Sequence, residues 1–142
     1  MSNLGYRFWN VGDDGRLLSP FAGNPLPDDG MAVAHCPRHP APGLACQCGI
    51  SYYSTSDDIR RAITAFPIMP EGAVTIGEIG WPVMPNNRPQ LYFDSLDIPM
   101  VGPPAMRART YTLRAIYTER NMPNIYTVPM VRALDDLKTV IQ

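Results

Sequence analysis

Lysine is almost missing from this 142-residue chain: Lys138 is the single one among 12 basic residues, and the formal net charge is −1. A chain so close to neutral lacks the broad positive field of a protein that binds polyphosphates or anionic membranes without regard to sequence. Long apolar runs are missing too. None approaches the roughly 18 residues of a membrane span, so no membrane partner is expected. The first residues, MSNLGYRFWN, show no charged stretch followed by an apolar one. No secretory signal is therefore expected, and the expected location is the cytoplasm. A Gly-rich phosphate loop, a nucleophile elbow, an HExxH pair and an EF-hand loop are all absent from the sequence, which removes the commonest signatures of nucleotide, acyl-transfer, metalloprotease and calcium chemistry.

Proline and glycine are plentiful instead, at 16 and 11 residues. They restrict or loosen the backbone, so long helices should be few and turns and edge strands many. Hydrophobic residues at 45% with 18% charged describe a globular chain. Leu4 to Trp9 reads as a strand, Gly12-Asp13-Asp14-Gly15 as a turn, and Arg16 to Phe21 as the return of a hairpin. Met31 to Ala34, Gly49 to Tyr53, Ala73 to Trp81 and Leu91 to Phe93 read as further strands, with loops at Pro82 to Pro89 and Pro99 to Pro104. The stretch Arg107 to Arg120 fits either a strand or a helix. Two helices are expected. Ser54 to Asp58 offers N-caps ahead of Ile59, Ala62, Ile63 and Phe66 on one face, and Pro67 ends the run. From Pro129 to Ile141, Val131, Leu134, Leu137 and Ile141 make one apolar face. With no internal repeat and no change of composition, residues 1–142 read as one α+β domain, mainly antiparallel β with two short helices and a loop, residues 35–49, that gathers the cysteines and histidines.

That loop carries the clearest chemistry. All three cysteines and both histidines fall within fourteen residues, His35 to Cys48. A tetrahedral zinc needs four soft or borderline donors, and three Cys with one His is a standard set. Cys36-x2-His39-x6-Cys46-x-Cys48 supplies it, with Pro40, Pro42 and Gly43 allowing the loop 35–49 to fold back. His39 is the expected fourth ligand and His35 the fallback. The Cys-x-Cys spacing is tighter than the usual two to four residues between paired ligands. Four competing readings remain. A disulfide framework would leave one cysteine over. Plain buried thiols suit a Pro-rich loop poorly. A Cys-His catalytic pair lacks any sign of an oxyanion hole. An iron–sulfur cluster with one His ligand is the rival metal centre. A structural Zn2+ is favoured over a catalytic one because the nearest Glu in sequence is Glu71.

The series Gly5-Tyr6-Arg7-Phe8-Trp9, Gly15-Arg16-Leu17-Leu18-Ser19-Pro20, Cys36, His39-Pro40-Ala41-Pro42 and Cys46-x-Cys48-Gly49-Ile50 resembles small uncharacterised proteins of actinobacteria and their phages. The likeness covers about the first two-thirds of the chain and includes a later strand like Val74-x-Ile76-Gly77-x-Ile79-x-Trp81, with an Arg-Ala pair like Arg107-Ala108. The chain departs from them between Pro82 and Ala105, where an inserted hairpin (82–105) is expected. The resemblance implies the metal motif and no activity. The excess of Arg over Lys, read as GC-rich coding, suggests the same source.

Other features have plainer readings. The pairs Asp13-Asp14, Asp28-Asp29, Asp57-Asp58 and Asp135-Asp136 fall in turns or on solvent faces, although paired carboxylates can also do acid/base work. Arg107, Arg109, Arg114 and Arg120, interleaved with Tyr111, Tyr117 and Tyr126, would suit a single-stranded nucleic acid if they shared one surface. The favoured function is a zinc-stabilised accessory protein that binds a protein partner, a host factor or a virion component, in the host cytoplasm or the virion if phage-encoded. The alternatives are a nucleic-acid-binding protein using the Arg/Tyr stretch and a Cys/His-dependent enzyme.

Overall fold

The computed structural model describes residues 3–20, 23–39, 41–43, 48–65, 71–85, 91–93, 99–101 and 105–142. Residues 106–118, ambiguous in sequence, are a strand. Thr110, Thr112 and Thr118 are β-branched, and Tyr111 and Leu113 turn to one core. This strand, the eighth in chain order, is the spine of the sheet. The strands are β1 (Leu4–Val11), β2 (Leu17–Leu18), β3 (Met31–Val33), β4 (Ile50–Tyr52), β5 (Ala73–Pro85), β6 (Leu91–Phe93), β7 (Pro99–Val101), β8 (Met106–Thr118) and β9 (Met130–Val131). The helices are α1 (Ser56–Ala65) and α2 (Asp136–Val140).

Along one edge of β8 runs β5, antiparallel, from Ala73 opposite Thr118 to Pro85 opposite Met106. The other edge is shared by three short strands: β4 against Met106–Ala108, β3 against Thr110–Thr112, and β9, the one parallel partner, against Ile116 and Tyr117. Beyond β5 lies β1, joined in turn to β2. Tyr53 then exchanges two backbone hydrogen bonds with Tyr6 of β1, at 2.7 and 2.8 Å. The chain from β4 to Tyr53 thus bonds to β8 and then to the far edge of β1, and the sheet closes on itself. The architecture is α+β and mainly antiparallel, as the sequence leads one to expect.

Closure gives the sheet two differently used faces. One carries Trp9, Tyr52, Ile79, Ala108, Tyr111 and Leu113 in a first cluster. The other carries Tyr6, Phe8, Val74, Ile76 and Ala115, covered by Ile59 and Ala62 of α1 and Leu134 and Leu137 near and within α2. The Thr55 hydroxyl accepts the Asp58 N–H at 3.1 Å, which caps α1, and Asp57 and Asp58 in its first turn complement the macrodipole. Phe66, expected on its apolar face, lies outside the described residues.

Three expectations need correction. The loop placed at Pro82 to Pro89 starts later, because β5 runs to Pro85; Pro82 lies within the register shift between Gly80 and Val83, where a missing N–H costs no ladder bond. The hairpin expected over 82–105 is narrower, since Leu91–Phe93 pairs with Pro99–Val101, residues read as loop from the sequence. The helix expected over 129–141 is only the five residues of α2. Ile116 N–H donates to the Pro129 carbonyl and the open edge of β8 takes Met130 and Val131 as a strand. The apolar face still reaches the core, with Leu134 and Leu137 buried and Val131 and Ile141 packed on them. Among the described residues no helix is long and apolar enough to cross a membrane.

Candidate metal centre

After β3 the chain leaves the sheet at Ala34, whose N–H still donates to the Arg109 carbonyl at 2.7 Å. It returns at Ile50 in β4. Within this excursion, Cys36, His39 and Cys48 converge, one ligand atom from each lying within 4.8 Å of the others. His39 Nε2 stands 3.7 Å from Cys36 Sγ and 3.9 Å from Cys48 Sγ. Around a tetrahedral zinc, with Zn–S near 2.3 Å and Zn–N near 2.0–2.1 Å, neighbouring S and N donors stand about 3.6 Å apart. The three side chains therefore sit close to the spacing a metal ion requires, and Nε2 is the nitrogen placed to serve both sulfurs. Cys46, the fourth expected donor, lies outside the described residues. His35 is exposed and is not one of the converging donors.

The backbone also reaches one of the sulfurs. Gly43 N–H donates to Cys48 Sγ at 3.3 Å, which helps fix that side chain in the cluster. A Cβ at Gly43 would stand 2.0 Å from His39 Cε1, so the imidazole occupies space that only glycine leaves open. Gly49, directly after Cys48, has φ of +117°, and a Cβ there would meet the Cβ atoms of Arg107 and Pro42 at 3.0 Å. An L side chain at this turn would be strained and crowded together.

The anchor of the loop is Arg107 of β8, 1% exposed. Its Nη1 donates to the carbonyls of Gly43 at 3.2 Å and Cys48 at 2.9 Å, while Nε and Nη2 both donate to the Pro85 carbonyl, at 3.3 and 3.1 Å. One guanidinium thus ties both ends of the segment that contains Cys46 to the end of β5. Sequence reading placed Arg107 on a surface. Period two gives no signal for this: Arg107 and Ala108 are both buried, and Arg109, two residues on from Arg107, is exposed.

The arginines and tyrosines of the stretch do not share one surface. Arg107, Tyr111 and Tyr126 are buried, and the Tyr126 hydroxyl bridges the Leu17 N–H and the Leu26 carbonyl. Arg114 pairs with Glu78, and Arg120 donates to the Val11 carbonyl and lies 4.0 Å from Asp13. Other aspartates of the four pairs are taken up similarly: Asp14 and Asp28 face Arg16, Asp58 faces Arg61 and Asp135 faces Arg60. The described residues around the recess at Cys36 and His39 are Ala34, His35, Pro37, Arg38, Ala41 and Arg109, with no carboxylate among them. No protein-family model, curated protein or solved structure matches the chain.

Proposed function

We propose that the protein is a zinc-stabilised interaction module of actinobacterial or actinophage origin, in which the ion is structural and the sheet presents a surface to a protein partner. The convergence of Cys36, His39 and Cys48 carries this reading. Cys46 completes the Cys3His set. A hydrolytic zinc needs an open position and a nearby acid/base group. The described recess offers no carboxylate for that role. A structural ion instead fixes a loop with little core of its own, and its binding energy becomes folding energy. The source rests on the sequence resemblance and the Arg-rich composition.

The partner surface is supported by three exposed apolar side chains, Met31, Val33 and Trp81, the last 69% exposed. Val33 and Gly80 both pair with Thr110, so Val33 and the residue before Trp81 flank the same position of β8, one strand to each side. Exposed aromatic and aliphatic groups are a mark of interaction sites. The deciding experiment has two readouts on protein purified without added metal. Near-stoichiometric zinc, lost in Cys36→Ser and Cys48→Ser, supports the site; metal-free protein with all thiols titrating freely overturns it. A partner captured from actinobacterial lysate by the parent chain and released by Trp81→Ser with Val33→Ser supports the surface. Capture indifferent to these changes removes it.

A further inference from the structure

Most arginines of this chain have an evident answer to their charge. Arg16, Arg60, Arg61, Arg114 and Arg120 face carboxylates, and Arg107 has three carbonyls. Arg7 is different. It sits on β1 between the core aromatics Tyr6 and Phe8, on the face shared with Trp9. Its Nη1 donates to the Ser51 carbonyl at 2.7 Å, and its guanidinium carbon lies 4.5 Å above the Trp9 ring. Its Nε is enclosed and has no acceptor. Among the described residues no carboxylate pairs with it. Enclosure pushes the guanidinium down to about 10, the direction expected when a cation is held without a counter-charge.

Arg7 forms part of the wall of a cavity of about 650 Å³. The cavity lies where β1 has no described strand partner on one edge, between Tyr6, bonded to Tyr53, and Asn10, paired with Leu18. Its walls come from β1, the segment around Leu26, β3 with His35 beyond it, and β4 with Cys48 before it, and Ala32, Leu26, Ile50 and Phe8 are apolar contributors. No Asp or Glu is in the described lining, and Arg7 is its one strong base.

We infer that this cavity binds a small organic carboxylate, with Arg7 as its counter-ion and the apolar walls around its body. The size falls within the roughly 300–1,000 Å³ of ordinary ligand sites. A half-buried charge among apolar walls is costly unless paired, and an incoming carboxylate supplies the missing partner. Guanidinium is the group suited to hold a carboxylate by two parallel hydrogen bonds, and stacking on Trp9 fixes its plane beforehand. A dianionic phosphate suits the site less well, because it would bring two charges to one cation among apolar walls.

The test is a titration of the as-purified protein, carrying Trp81→Phe so that Trp9 alone reports by fluorescence. The probes are cyclohexanecarboxylate, the neutral cyclohexanemethanol and inorganic phosphate. The expected result is saturable quenching or enhancement by the carboxylate with a matching rise in melting temperature, and binding at least about tenfold weaker for the alcohol. Arg7→Met should lose the carboxylate preference, and Arg7→Lys should weaken binding while keeping that preference. The inference is overturned by no saturable response to carboxylate up to about 10 mM, by equal binding of acid and alcohol, or by phosphate binding as well as carboxylate. Should Arg7→Met not fold, the acid-to-alcohol ratio on the unsubstituted site and in Arg7→Lys still decides.

Discussion

Arg107 Nη1 donates to the carbonyl of Cys48, 59 positions earlier, at 2.9 Å, so a residue in the central strand holds the backbone of a metal-ligand candidate. The candidate metal site is thereby registered on the sheet by a contact that neither sequence neighbourhood nor ligand spacing requires.

Arg107→Ala should destabilise the protein by about 2–4 kcal/mol, because three buried carbonyls lose donors and a large side chain leaves a void. It should also weaken metal binding by about 10–100-fold, the usual cost of losing a supporting contact to a ligand. Chemical denaturation and competition with a chromophoric chelator measure the two effects. Full metal affinity in the variant would show that the loop holds its shape unaided.

Gly43→Ala should reduce metal affinity with little change in far-UV signal. The added methyl would displace the His39 ring, which stands 2.0 Å from where the Cβ would lie. A metal competition titration on the variant checks this, and parent-like affinity would mean that the imidazole moves at no cost.

Cys46→Ser should deplete the metal as strongly as Cys36→Ser, and His35→Ala should leave it bound. Chelation should lower the melting temperature while most far-UV signal remains, since both hydrophobic clusters are built largely from β1, β5, β8 and the helices. Retained metal in His39→Ala with loss in His35→Ala would keep the site and exchange its histidine ligand.

Ile59→Ala should cost about 2–5 kcal/mol, since this side chain is wholly enclosed between α1 and the sheet. Ile63, partly buried on the same helix, should cost less when truncated. Urea denaturation of both variants ranks them, and the reverse order would contradict the orientation of α1.

Stability should fall as pH rises through 10 towards 12. Burial, with the nearby Asp58 charge, pushes the Tyr53 phenol up to about 12 from its ordinary 10, and burial raises Tyr111 as well. Above pH 10 the unfolded chain has released these protons while the folded one keeps them, so the unfolded state binds fewer protons and gains relative to the fold. Tyr53→Phe should flatten this alkaline limb, read as melting temperature against pH. An unchanged limb would place the loss in other groups.

The sequence alone determined what is local. Thr55 before two acids and a 3.6-residue apolar repeat specified α1, strand-like runs specified β1 and much of β5, and the clustering of Cys36, His39 and Cys48 specified that donors would be near one another. These signals survive because capping, period and short loop closure involve residues few positions apart. The tertiary structure decided the rest. Residues 106–118 became a strand because β5 and the short strands satisfy both of its edges, and Met130–Val131 became one because an edge of β8 was free to take them. Arg107 left the surface reading for the interior because acceptors from Gly43, Cys48 and Pro85 meet there. Arg7 was enclosed because Tyr53 closes the sheet over β1. Pairings across 40 to 110 positions leave no periodic trace in the chain, so which polar side chains they bury can be read only once the strands are side by side.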